Sequence, residues 1–306
     1  MIARFARIAA PLAALSALQL AAACAPAVEP AAAPVFAAEP APPGPALWKV
    51  ADEDTTIYLF GTIHFLPEDT AWYRPHVRQA LQASGELVTE FDPAEAAKIP
   101  WLMEQNAYLP EGENLRDLLA PEDRQAFEGL LVSKGIPVGA FDRNKPWSAG
   151  LVLSATLTVM AGFNPESGVE QALKQYLPAG MQRAALEPIE LQVDIYNSLP
   201  QDTQITYLNE IVASSGTIGS FLEEMRGEWL EGDEQGLAEL ANLENADHEL
   251  HARFYANRNA AWADWVDDRL DRPGTAFVAV GAGHLVGKDS LQQRLEMLGI
   301  ASTRVR

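Results

Sequence analysis

The sequence predicts an α/β fold in which helices pack around a central β-sheet and one large helical insertion is added. Short runs rich in β-branched and apolar residues indicate strands at residues 55–60, 86–89, 183–186 and 275–280. Helical periodicity separates these runs, at residues 94–107, 121–134, 146–161 and 168–177. A mainly helical block, residues 189–270, forms the predicted insertion. Strands that alternate with helices form a central sheet, so this order favours the α/β class.

The first 23 residues have the features of a secretory signal peptide. Arg4 and Arg7 precede an apolar run from Ile8 to Ala23, and the segment contains no acidic residue. The run ends in three alanines followed by Cys24, which resembles the lipobox of bacterial lipoproteins. We therefore predict export across the inner membrane, acylation of Cys24 and a periplasmic protein anchored to the outer membrane by its lipid. Cleavage at the Ala-rich site without acylation is the alternative.

The next segment, residues 24–46, consists almost entirely of Ala and Pro after the cysteine. This composition extends the chain and offers nothing to bury, so it predicts a tether. Residues 47–306 contain no comparable stretch and no internal repeat, and we predict one domain there. Cys24 is the only cysteine, which excludes an intramolecular disulfide and the Cys-rich zinc sites.

The balance of charges limits the partners. The chain has 22 Lys and Arg against 42 Asp and Glu, which gives a formal net charge of −20. Such a surface repels phosphate backbones and anionic headgroups. We expect no nucleic-acid partner, and contact with a membrane only through the N-terminal lipid.

Polar side chains follow each of the four predicted strands. His64 and His284 each close a GxxH motif, while Glu90 and Glu187 directly follow the other two strands. Because the carboxyl ends of parallel strands gather at one edge, these side chains are expected to lie together. Two imidazoles and a carboxylate suit Zn²⁺, Mn²⁺, Co²⁺ or Fe²⁺. The alternative is four separate loop residues that have no common ligand.

These motifs resemble those of the TraB/GumN family, which includes the Tiki proteins. The resemblance spans residues 47–300, and its patches are LWKVADEDTTIYLFGTIHFLP, LVTEFD, GVE, LEPIELQ, RN and VAVGAGHLVG. It implies a fold like that of the erythromycin esterase and ChaN-like group. It also implies that His64, Glu90 and His284 bind a divalent metal, because Tiki proteins are described as proteases dependent on Mn²⁺ or Co²⁺. The chain departs from the family pattern at Pro188, where a Thr is expected.

Two classes of function remain open. In the first, a divalent Mn, Co or Zn ion is held by the two GxxH histidines and Glu90, Glu187 accepts a proton, and a peptide or other small amide substrate is hydrolysed. In the second, the protein is a non-catalytic envelope lipoprotein that binds a ligand, such as an accessory of polysaccharide export or a haem carrier. A carrier does not need several titratable groups at one edge, which favours the metal-dependent hydrolase.

Two other segments carry polar residues on predicted helices. Arg258 and Asn259 either pair with surface acids or point at the site, where Arg258 would stabilise an oxyanion. Residues 247–251 (DHELH) contain two histidines three positions apart, whereas the metalloprotease helix needs a spacing of four. We predict that this second segment is a solvated helix face.

Overall fold

A six-stranded mixed sheet forms the centre of the computed structural model, which describes residues 44–240 and 248–305. The strand order is β4-β3-β5-β2-β1-β6. The strands are β1 (Leu47–Ala51), β2 (Thr55–Thr62), β3 (Glu86–Thr89), β4 (Gln182–Ala185), β5 (Gly274–Gly281) and β6 (Ser302–Arg304). The predicted α/β class is confirmed. The predicted signal peptide, Cys24 and most of the tether lie outside the described residues.

The four strands predicted from the sequence are parallel and adjacent. β2 pairs with β5 from Thr55↔Gly274 to Thr62↔Gly281, and β3 pairs with both β5 and β4. The two strands that end in GxxH motifs are therefore direct neighbours, as the shared-site hypothesis requires. All four strands end at the same edge of the sheet.

Two strands were not predicted. β1 runs antiparallel between β2 and β6, and its five residues, LWKVA, show no regular alternation of apolar and polar side chains. A tight turn joins it to β2, in which Asp52 Oδ1 accepts the N–H of Thr55 at 2.8 Å. The last strand, β6, has three residues, too few for a sequence pattern.

Helices cover both faces of the sheet. They are α1 (Pro75–Ala83), α2 (Ile99–Asn106), α3 (Leu115–Leu118), α4 (Pro121–Ser133), α5 (Pro146–Met160), α6 (Val169–Leu173), α7 (Ile189–Asn197), α8 (Gln201–Ser214), α9 (Ile218–Glu231), α10 (Glu234–Leu240), α11 (His248–His251), α12 (Asn257–Leu270) and α13 (Leu291–Met297). The predicted helix at 94–107 is divided into a 3₁₀ turn, Pro93–Lys98, and α2. Pro100 lacks an N–H and fits only the first turn of a helix, so a new helix begins there.

Burial on both faces of β5 explains why its residues 276–280 are all apolar. Phe277 and Ala279 face one core, which includes Phe60 and Trp229, while Val278 faces a second core beneath α12. A parallel strand that is buried on both faces has no polar side to show in its sequence.

The helices inserted between the strands have a core of their own. Leu153 of α5 and Leu208 of α8 are fully buried there, together with Phe127 of α4. Gly150 allows the close approach, since a Cβ at that position would lie 2.7 Å from Tyr207 Cε1. No helix among the described residues is long and apolar enough to cross a membrane.

The prediction of a solvated helix face at 247–251 is wrong for His251. Its side chain is buried, and Nε2 lies 3.1 Å from Asp289 Oδ2 in the loop before α13. The π-helical turn Ala252–Ala256 follows directly and joins α11 to α12. An acidic sequence pattern does not show that the following helix folds back over the sheet.

Candidate active site

The predicted site residues meet around the guanidinium of Arg258, which projects from α12. Glu90 follows β3, Glu187 follows β4 and His284 lies in the short helical turn after β5. His64 follows β2 on the same edge. The sheet topology thus brings together residues that are more than 200 positions apart in the chain.

Arg258 contacts three of these side chains at once. Its Nη2 donates to Glu90 Oε2 and to Glu187 Oε1, both at 2.6 Å, and its Nε donates to Glu187 Oε2 at 3.1 Å. Its Nη1 donates to His284 Nε2 at 3.0 Å. The side chain is buried, and a buried charge is stable only when it is paired in this way. Arg258 therefore points into the site and does not pair with surface acids.

Glu187 is the main support of Arg258. Besides the two bonds from Arg258, its carboxylate accepts Trp262 Nε1 at 3.2 Å and Gln192 Nε2 at 2.5 Å. Its own N–H donates to the Glu90 carbonyl at 2.9 Å. Pro188 then begins helix α7, so the departure from the family pattern leaves Glu187 at the site.

Glu90 is fixed through both carboxylate oxygens. Oε1 accepts the N–H of Gly281 at 2.8 Å, and Oε2 accepts Arg258. Burial alone would raise the pKa of Glu90, but the charge of His284 once acid protonates its ring, the charges of Arg258 and His64, and the Gly281 hydrogen bond lower it to about 2. Glu90 is therefore ionised at neutral pH.

His284 is held as a neutral ring. Asn259 Nδ2 donates to the carbonyls of His284 and Asp289, which leaves Asn259 Oδ1 to accept Nδ1–H of His284 at 2.7 Å. Nε2 then carries a lone pair. Burial lowers the pKa of His284 to about 3, and the positive charge of Arg258 acts in the same direction.

His64 has the opposite electrostatics. Its Nδ1 lies 2.9 Å from Glu170 Oε1, and Thr62 Oγ1 donates to the same carboxylate. The attraction to Glu170 raises the pKa of His64 to about 9, although burial of its surroundings opposes the shift. The ring itself opens on the cleft with 59% of its side chain exposed, so water screens part of this attraction.

Glu170 is the site residue that sequence reasoning missed. It begins α6, whose first residues pack tightly on the His64 loop: Val169 N donates to the Ile63 carbonyl at 3.0 Å. A Cβ at Gly168 would lie 2.0 Å from the carbonyl oxygen of His64, so only glycine fits. The available signal was the GVE patch, in which a glycine permits the contact and a carboxylate follows two residues later.

Gly281, the first residue of the second GxxH motif, lies at the centre of the site. A Cβ at Gly281 would lie 3.2 Å from Glu90 Oε1, 3.7 Å from His284 Cδ2 and 4.0 Å from His64 Nε2. All three predicted metal ligands thus face the same small region, and any larger residue would intrude on it.

The family profile of the TraB/PrgY/gumN proteins matches residues 46–304, which is nearly the whole described chain. The chain belongs to the TraB/PrgY/gumN family. It is 28% identical over 242 residues to the uncharacterized protein YbaP of Escherichia coli K12, covering 78% of this chain and 87% of that protein. YbaP of Shigella flexneri gives the same identity and coverage. No solved structure gives a significant match.

Two cavities meet at the charged edge of this TraB/PrgY/gumN protein. One has about 410 Å³ and is lined by His64, Glu90, Arg258 and His284 and by aromatic side chains that include Tyr196, Phe254 and Tyr255. The other has about 240 Å³ and shares His64 and Glu90 with the first. A larger cavity, about 750 Å³ beside Trp48, contains none of the predicted site residues.

The donor atoms fit a divalent ion in type and in part in position. Glu90 Oε1 and His284 Nε2 lie 4.0 Å apart, and two ligands at about 2.1 Å from one ion can be separated by that distance. Within 44–240 and 248–305, however, no group of three His, Cys, Asp or Glu side chains is gathered to hold a metal. The nearest cation to both donors is the guanidinium of Arg258, and binding of an ion between them requires this guanidinium to move.

Proposed function

We propose that this protein is a metal-dependent hydrolase of peptide or other small amide bonds, with His64, Glu90 and His284 as ligands of a divalent Mn, Co or Zn ion. One observation carries the proposal. Each imidazole is tied through Nδ1 to an oxygen acceptor, Glu170 or Asn259, which directs the other nitrogen to the edge where Glu90 lies. Metal-binding histidines in proteins have such partners, which fix the ring and its tautomer.

The ion would supply Lewis acidity at the substrate carbonyl and lower the pKa of water. The neutral state of His284 supports this role, because a ring with pKa about 3 keeps a lone pair on Nε2, which accepts Arg258 Nη1 here and would bind the ion once this guanidinium moves. Glu90 contributes a carboxylate that is already ionised.

The residues of the chain then stabilise charge and exclude water. All the N–H groups of Arg258 are engaged, but an ion between Glu90 and His284 would displace its guanidinium from those two side chains. The freed groups would then donate to the oxygen on which negative charge develops, and removal of one such donor typically costs about 10²- to 10³-fold in kcat. Glu187 accepts four hydrogen bonds and holds Arg258 by two of them. Because these acceptor positions are occupied, Glu187 is better suited to position Arg258 than to transfer a proton. Proton transfer is the role that the sequence suggested.

A ligand-binding protein without catalysis is the second candidate. It is favoured by the closed network in which Arg258 already engages Glu90, Glu187 and His284. In either case we propose that the protein acts in the periplasm, attached to the outer membrane through acylated Cys24. Loss of metabolic palmitate labelling in Cys24→Ser tests the anchor, and label that persists after this substitution contradicts it.

The function is tested by loading the purified protein with Mn²⁺, Co²⁺ or Zn²⁺, measuring bound metal, and screening a peptide library by mass spectrometry. We expect His64→Ala, Glu90→Ala and His284→Ala each to lose both metal and cleavage. His76→Ala is the matched control, since the ring of this histidine lies outside the site and bonds to the Pro45 carbonyl, in the segment before β1. If wild type binds no ion tightly and cleaves peptides no faster than the three alanine substitutions do, the ligand-binding candidate replaces the hydrolase.

A further inference from the structure

The smaller cavity that shares His64 and Glu90 lies on one face of the sheet, and we refer to it as the side cavity. Its floor is apolar and consists of buried residues of β3, β5 and α6, namely Leu87, Ala279 and Leu173. Its volume of about 240 Å³ is below the range of about 300–1,000 Å³ that holds a whole drug-sized ligand. The side cavity therefore suits one apolar group of a larger molecule.

The strand register shows in which direction the side cavity extends across the sheet. Its lining extends from Glu90, at the edge of the sheet, back to Leu87, which pairs with Arg183 of β4. Three residues of a strand span about 10 Å. An apolar group that enters beside His64 and Glu90 can thus extend beneath the edge towards β4.

Two cations also line the side cavity. Lys174 follows α6 and Arg183 lies on the edge strand β4, and both are exposed. Neither forms an ion pair with a carboxylate among the described residues, although acidic residues outnumber basic ones 42 to 22 in the chain. The two carboxylates that also line the cavity are neutralised, since Glu170 pairs with His64 and Glu90 pairs with Arg258.

We propose that the side cavity binds the C-terminal residue of a peptide, with its apolar side chain on the floor and its free carboxylate at Lys174 and Arg183. This assignment rests on the proposed function, because the amide bond before that residue would then lie at His64 and Glu90. The substrate class is a peptide that ends in Leu, Met or a residue of similar size.

A carboxylate joined to a compact apolar group also occurs in simple carboxylic acids. The three probes are therefore N-acetyl-L-leucine, its C-terminal amide and 4-methylpentanoate, which lacks the peptide group. Each is titrated into the purified protein without added metal and followed by ligand-observed NMR, so that binding is measured independently of hydrolysis.

We expect N-acetyl-L-leucine to bind about fivefold tighter than its amide, the usual size of a contact with exposed cations. The double variant Lys174→Gln/Arg183→Gln should reduce this preference to less than twofold. Lys49→Gln is the matched control, because Lys49 is an exposed cation on β1, away from the cavity. Ala96→Trp should block binding of all three probes, while Ala97→Trp, next to it and outside the lining, should not.

Equal binding of the acid and the amide, or a preference that survives in the double variant, overturns the assignment. Tighter binding of 4-methylpentanoate than of N-acetyl-L-leucine also overturns it in favour of a simple carboxylic acid. If the metal-loaded protein cleaves no peptide while the probes show the expected preferences, the hydrolase proposal fails and the side cavity remains a binding site for peptide C-termini.

Discussion

His64 and Glu170 form an ion pair, with Nδ1 and Oε1 2.9 Å apart, that joins the loop after β2 to the start of α6. His64 lines both cavities of the site, and Glu170 lines the side cavity. It determines the protonation and the orientation of the more exposed of the two motif histidines.

Glu170→Gln should lower the pKa of His64 from about 9 towards its ordinary value of 6.5, because the attraction to Glu170 is the largest cause of the shift. NMR titration of the His64 ring in metal-free protein measures this change. Glu166→Gln is the control, an exposed carboxylate in the turn before α6. A His64 pKa that stays near 9 in Glu170→Gln would show that Glu170 is not the cause.

The same pair makes stability depend on alkaline pH. The pKa of His64 is higher in the folded protein than in the unfolded chain, so its contribution is complete below pH 6.5 and is lost as pH rises towards 9. The free energy of unfolding of the metal-free wild type should therefore fall between pH 6.5 and 9. In Glu170→Gln this decline should be shallower, and urea denaturation across that range measures it.

At acidic pH, the stability of the fold depends on the other motif histidine, His284. His284 has a pKa of about 3 in the folded protein and 6.5 in the unfolded chain, so the unfolded chain binds more protons between these values. Stability should fall as pH is lowered from 6.5, and further below 4.5, where unfolded Glu90 also binds a proton. His284→Gln should flatten the dependence between pH 6.5 and 4.5. An unchanged slope in this variant contradicts the neutral, buried ring.

The parallel part of the fold could be predicted because its strands are marked by apolar runs that end in distinctive residues. The motif ends at His64 and His284 follow directly from the sequence, and a parallel sheet places their strands at one edge. The strands β1 and β6 lack such marks, since β1 (LWKVA) does not end in a distinctive polar residue and β6 has three residues. The sequence pattern of each strand does not predict that β1 and β6 pair, because these two distant segments meet only in the folded chain.

The residues of the site could be predicted better than the contacts between them. Arg258 was a candidate, but its contacts with Glu187 and His284 depend on how α12 lies over the sheet. Glu170 was hidden because one acidic residue among 42 carries no signal by itself. Its role depends on the absence of a side chain at Gly168, a relationship between two loops that only the folded chain shows.

Removal of Arg258 should destabilise the folded protein even in the absence of substrate. Arg258→Ala leaves Glu90 and Glu187 buried next to each other without a cation, and breaking a buried ion pair typically costs about 3–5 kcal/mol. Urea denaturation measures the change in the free energy of unfolding. Arg78→Ala, which removes an exposed arginine of α1, should change it by less than about 0.5 kcal/mol. Equal effects of the two variants would contradict the network around Arg258.

Substitution of glycine by alanine tests how closely α6 packs on the loop that contains His64. Gly168→Ala should destabilise the protein by about 1–3 kcal/mol, because the new Cβ would meet the His64 carbonyl at 2.0 Å. Gly129→Ala, within α4 and with nothing within 4 Å of its Cβ, should stabilise it by about 1 kcal/mol. Thermal unfolding compares the two variants. A neutral Gly168→Ala would contradict the tight contact between α6 and the His64 loop.

Glu187→Gln tests whether this residue positions Arg258 or accepts a proton. The substitution keeps the size of the side chain but weakens both bonds to Arg258, so bound metal should remain while kcat falls about 10²- to 10³-fold, the cost of a misplaced oxyanion donor. In a positioning role the acidic limb of the pH profile of kcat/KM stays in place, and the variant adds little to the defect of Arg258→Lys. Glu190→Gln, at an exposed carboxylate in the first turn of α7, serves as the control. Loss of the acidic limb in Glu187→Gln would instead assign proton transfer to Glu187, because the ionisation that sets this limb is removed together with the catalytic base.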